Sequence, residues 1–162
     1  MRRSPIAACL AVALASLVPV RAATPHDALA IEAARYCRRV HVDDTLRPIP
    51  AFLVPAARRL FGLSMPDSAV QRTTVFRCEG GAALVCNSGA NLPCGKANTD
   101  RSLPAAGQYC REHPDSPFIP MFVTGHDTVY RWRCRGTAAA VQGPVARLDG
   151  RGFIERLWKP VD

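Results

Sequence analysis

Two histidines have carboxylates close by in the chain: His126, in Gly125-His126-Asp127, and His113, in Glu112-His113-Pro114-Asp115. An imidazole tuned by a carboxylate is the usual general base of a hydrolase. Successive residues on a strand point to opposite faces, however, so His126 and Asp127 need not touch, and a histidine capping a loop explains the same residues. His26 and His41 offer less. The segment Gly89-Ala90-Asn91-Leu92-Pro93-Cys94-Gly95-Lys96 comes near a phosphate loop. Its glycines stand one residue too far apart, and Ala97 occupies the place of the required Ser or Thr. No serine lies in a GxSxG elbow. An envelope hydrolase using His126 with Asp127, or His113, is therefore the second reading of function, and no residue is assigned as catalytic.

The more extensive pattern is basic. Arg131, Arg133, Arg135, Arg147, Arg151, Arg156 and Lys159 are interleaved with Tyr130, Trp132, Phe153 and Trp158. Guanidinium groups recognise carboxylate and phosphate, and aromatic rings stack beside them. Arg131, Trp132, Arg133, Arg135 and Arg151 are the candidate binding residues. The competing account makes the aromatics core and the arginines a solvated face. With no credible catalytic constellation, the first reading is a non-enzymatic domain. It would bind, or inhibit, an acidic protein or an anionic envelope polymer through this C-terminal face. No cofactor, metal or nucleic acid is expected.

The chain begins with Arg2 and Arg3, continues uncharged from Ser4 to Val20, and reaches small residues around Arg21. That order is the basic, apolar and small-x-small sequence of a secretory signal peptide, with cleavage expected after Ala22. The uncharged run, broken by Pro5 and Pro19, is short for a bilayer core needing about 20 residues, so stable membrane insertion is not expected after cleavage. Cys9 stands before most of the apolar run, not after it as a lipidated cysteine would. Loss of Arg2, Arg3 and Arg21 leaves 18 basic against 13 acidic residues, and the remainder, 23–162, is long enough for one domain. Export to the periplasm or the medium is the expectation.

The six remaining cysteines, Cys37, Cys78, Cys86, Cys94, Cys110 and Cys134, are an even set without a CxxC pair. Their spacing matches no common zinc arrangement and fits three disulfides in an exported chain. Six cysteines allow 15 pairings. Two echoes narrow them. Arg35-Tyr36-Cys37-Arg38 recurs as Gln108-Tyr109-Cys110-Arg111, and Phe76-Arg77-Cys78-Glu79-Gly80 recurs as Trp132-Arg133-Cys134-Arg135-Gly136. A duplicated helix–hairpin unit would pair Cys37 with Cys78 and Cys110 with Cys134, leaving Cys86 for Cys94. Chance recurrence in a chain rich in Ala and Arg is the alternative.

Several elements must position these residues. Leu29, Ala30, Ala33, Ala34 and Cys37 fall at helical spacing, predicting a helix over 26–40 with Thr24 as its cap and Pro25 in its first turn. The proline-rich stretch after it should be extended, followed by a short helix over 56–61 ended by Gly62. Residues 73–78 and 82–86 flank Glu79-Gly80-Gly81 and read as a hairpin, as do 128–135 with 138–142. In the latter, Val129, Arg131 and Arg133 should lie on one face and Tyr130, Trp132 and Cys134 on the other, which implies one face against the core and one basic face in water. Residues 153–158 read as a last strand after a turn at Asp149-Gly150. The excursion 87–120 should be irregular, with a short helix near 105–113, held by Cys94 and Cys110. The fold class expected is α+β: an antiparallel sheet of about five strands, an N-terminal helix and short helices.

The strings FRCEGGAALVCNSGANLPCGKAN, YCREHPDSPFIP, GHDTVYRWRCRG and LDGRGFIERLWKPV resemble a group of small exported proteobacterial proteins. The likeness spans residues 73–159 in Cys, Gly and Trp placement. It implies a shared cysteine framework and a periplasmic or secreted home, and it supplies no activity.

Overall fold

The computed structural model describes residues 25–89, 91 and 93–161; the expected signal peptide and the cap at Thr24 lie outside them. The domain is α+β, built from two helix–hairpin units and a C-terminal segment. In the first unit, helix α1 (Pro25–Val40) turns Ala33 and Cys37, one turn apart, into the core. Strands β2 (Thr74–Glu79) and β3 (Ala82–Asn87) form the hairpin. Its turn needs positive φ at both central residues, which Gly80 (57°) and Gly81 (82°) supply. The proline-rich stretch becomes β1 (Asp43–Pro48), an edge strand antiparallel to β2, where Pro48 forfeits no central ladder bond.

Helix α2 (Val54–Phe61) ends at Gly62, whose φ of 64° suits the left-handed cap. A further helix, α3 (Asp67–Thr73), was not anticipated. Only Val70 of this short helix is fully buried, so its apolar periodicity is too sparse to read.

The second unit repeats the plan. Helix α4 (Pro104–Glu112) packs on the hairpin of β4 (Tyr130–Arg135) and β5 (Ala138–Pro144). The registers agree between units: Phe76 faces Val85, Arg77 faces Leu84 and Cys78 faces Ala83, just as Trp132 faces Val141, Arg133 faces Ala140 and Cys134 faces Ala139. In each unit a disulfide ties the helix to the first hairpin strand, Cys37 to Cys78 and Cys110 to Cys134. Cys86 joins Cys94 and anchors the irregular excursion to β3. These are the partners that the repeat suggests, and three disulfides suit an oxidising environment.

The strands divide between a four-stranded sheet, in order β1-β2-β3-β6 with β6 at Lys159–Pro160, and the separate β4-β5 ribbon. Strand β6 is short and pairs with β3. The strand expected over 153–158 is corrected. Phe153 and Ile154 make isolated bridges to Lys96 and Leu148, and Glu155–Leu157 is a 3-10 turn. Phe153, Ile154, Leu157 and Trp158 are all buried, and a period-two strand cannot direct all four inward.

Three apolar clusters result: one under α1 and the first sheet, one around Phe153 and Trp158, and one around Trp132 between α4 and the second hairpin. No helix among the described residues is long and apolar enough to cross a membrane.

Candidate binding face and cleft on the second hairpin

Alternation along β4 separates two kinds of side chain. Trp132 and Cys134 are buried with Ala106, Cys110 and Ile119, and the Trp132 indole N–H donates to Thr128 Oγ1 at 3.2 Å. Arg131, Arg133 and Arg135 occupy the other face. Arg131 and Arg135 are exposed and Arg133 is half-buried, its Nε enclosed without a hydrogen bond. The bulge in this ribbon falls on β5, where Arg131 pairs with Gly143 and Trp132 with Val141, so β4 itself keeps strict alternation. Among the described residues none of these three arginines has a carboxylate partner.

The first unit shows what such a position looks like when it is filled. Arg77, in the register of Arg133, is fully buried and paired with Asp149 and, at 2.9 Å, with Glu79. The rings of Phe153 and Trp158 cover its guanidinium carbon at 4.2 and 4.6 Å. Charge pairing and π contact together make a buried cation tolerable. In the second unit the counterpart of Glu79 is Arg135, so the ribbon carries like charges where the first carries a pair.

The candidate residues therefore part company. Arg131, Arg133 and Arg135 share one face. Trp132 does not join them: at 2% exposure it belongs to the core and cannot stack on a ligand. Arg151 does not join them either. It donates to Asp44 beside the first sheet at 3.1 and 2.8 Å, with Lys96 on the same carboxylate at 2.9 Å. Those cations, Arg151 first, hold the Asp44 carboxyl down to about 2. Phe153 and Trp158 are likewise consumed in sheathing Arg77.

Beside Arg131 opens a cleft of about 670 Å³. Helix α5 (Met121–Thr124), started after Pro120, forms one wall. It buries Thr124 and leaves Met121 and Phe122 outward, Phe122 at 82% exposure. Phe118, 59% exposed, and Val145 continue the apolar rim. The helix stops at Gly125, where φ is 87° and an added Cβ would stand 2.5 Å from Asp127 Oδ1. Gly125 thus lets the chain turn back into β4.

His126 lines this cleft, together with Thr124, Thr128 and Tyr130. His126 and Asp127 make no hydrogen bond to each other among the described residues, and Asp127 folds back over Gly125 instead. His113 caps α4, its N–H donating to the Tyr109 carbonyl and its ring stacked 4.4 Å from Tyr109. It lies outside the cleft and does not meet His126. Among the described residues no carboxylate lines the cleft, and its ionisable groups are Arg131, Tyr130 and His126. No group of three or more His, Cys, Asp or Glu positioned to hold a metal is found among the described residues.

Sequence reasoning missed the cleft. Its signal was the run Phe118-Ile119-Pro120-Met121-Phe122-Val123, the most apolar part of an otherwise polar region and too apolar for a plain loop. Compared with known proteins, the chain matches no family model, no curated sequence and no solved structure.

Proposed function

We propose that this is an exported, non-enzymatic binding module that captures a polyanionic partner at the cell envelope or outside the cell. The observation that carries the reading is the arginine ladder of β4. Among the described residues Arg131, Arg133 and Arg135 share one strand face and have no carboxylate partner, whereas the equivalent Arg77 is paired with two carboxylates. Uncompensated like charges held on a rigid strand repel one another, and an acidic partner relieves that repulsion. Export is supported by the signal-type leader and by three disulfides, of which Cys110–Cys134 locks the ribbon to α4 and preorganises the face.

The test uses a fluorescein-labelled, aspartate-rich peptide followed by anisotropy. The double variant Arg131→Glu/Arg135→Glu should weaken binding by more than about tenfold and flatten its salt dependence. Arg59→Glu/Arg72→Glu changes net charge equally on exposed positions elsewhere and should leave most of the affinity. Equal losses in both variants would mean only bulk charge attraction and would overturn the assignment of the face.

A further inference from the structure

Resting on that reading, we infer that the partner is a protein whose recognised segment is extended, with acidic side chains at alternate positions and one bulky apolar side chain beyond them that seats in the cleft. Arg131 belongs to both features, as the first rung of the ladder and as part of the cleft's lining. The apolar depression therefore opens beside the first cation of the ladder.

The chemistry on each part restricts the occupant. Alternate residues on a strand stand about 6.7 Å apart, which is also the spacing of alternate side chains on an extended peptide laid along it. A glycan could match the charges, but it has nothing to place against Phe118, Met121, Phe122 and Val145, which sit exposed at the cleft mouth. A lipid tail could enter the cleft, but a single head group satisfies one rung and leaves two. An apolar side chain next to a run of carboxylates satisfies both parts. Among the described residues no carboxylate lines the cleft to repel an acidic segment entering it. The volume, about 670 Å³, lies within the range of pockets that bury a ligand group. Trp132 and Thr128 also contribute to the lining, and the Trp132 indole N–H is already bonded to Thr128 Oγ1.

The experiment compares amide-capped peptides of equal charge, with three aspartates separated by serines and either Phe or Ala two residues beyond one end, each made in both orientations. In one orientation the Phe peptide should bind the intact protein about tenfold or more tighter than its Ala counterpart. Met121→Ser/Phe122→Ser, two substitutions at exposed positions, should erase that difference and leave the Ala peptide's affinity unchanged. Thermal midpoints of the variant and the parent should agree. If Phe and Ala peptides bind alike, with the salt dependence set by Arg131 and Arg135, the arginine face stands and the apolar anchor is overturned. If neither peptide responds to the arginine reversals, the reading beneath it falls as well. Concentration-dependent self-association abolished by the Met121/Phe122 variant would identify a second copy as the occupant and overturn the proposal.

Discussion

Arg77 allows the energetics of the scaffold to be tested by asking which half of its environment matters more. Removing Asp149 leaves a fully buried guanidinium with Glu79 alone, itself 30% exposed. It also deletes the acceptor for the Arg151 and Phe153 backbone N–H groups at 2.9 and 3.0 Å. Breaking a buried pair from one side costs about 3 to 5 kcal/mol, and the two backbone bonds add about 1 kcal/mol each. Glu79 offsets part of this, so Asp149→Ala should destabilise by about 4 kcal/mol. Arg77→Met removes the charge altogether and leaves Asp149 with its two backbone donors. A thioether between Phe153 and Trp158 retains packing and sulfur–aromatic contact, so the loss should be about 1 to 2 kcal/mol. In a domain of this size one kcal/mol moves the midpoint by about 3 to 5 °C, giving drops of about 15 °C and about 5 °C in calorimetry. If Arg77→Met falls as far as Asp149→Ala, the aromatic sandwich and not the ion pair carries the stability, and the reasoning fails.

Other outcomes follow from the same contacts. The Asp44 carboxyl is held at about 2 by Arg151 and Lys96. Its contribution should be complete above the unfolded carboxylate range near pH 4 and disappear between about pH 4 and about pH 2. Asp44→Asn should therefore flatten that part of the acid denaturation curve while barely changing its shape above pH 5. Under a chain-entropy model the Cys86–Cys94 bridge, closing a separation of 8, is worth about 2.6 kcal/mol, and Cys110–Cys134, at 24, about 3.5 kcal/mol. Paired Ser replacements should rank in that order by denaturant midpoint. The second pair should also loosen β4 from α4 and weaken peptide capture.

The scaffold was more legible in the sequence than the surface. Helix α1, both hairpins and the disulfide partners were readable because each is specified locally: helical spacing of apolar residues, glycine turns between β-branched runs, and a Tyr-Cys and aromatic-Arg-Cys echo. The C-terminal cluster reads in sequence as one basic, aromatic face because its residues lie close together in the chain. The fold splits it, since Phe153 and Trp158 serve a cation 70 or more residues earlier, Arg77, and Arg151 serves Asp44. Such long-range pairing has no local signal. Arg77 and Arg133 look alike in sequence, and only the crossing of segment 149–158 over one hairpin makes the first a buried structural cation and leaves the second without a carboxylate partner among the described residues. The cleft escaped notice because its lining is gathered from α5, β4 and Val145, which only tertiary structure brings together.

The most direct measurement is a heteronuclear NMR titration of the arginine Nε–Hε signals with the aspartate-rich peptide. Arg131, Arg133 and Arg135 should shift and saturate together, while Arg77, already paired and buried, should stay fixed as an internal reference. Shifts confined to other arginines, or spread evenly over all exposed ones, would contradict the claim that the β4 ladder is the binding face.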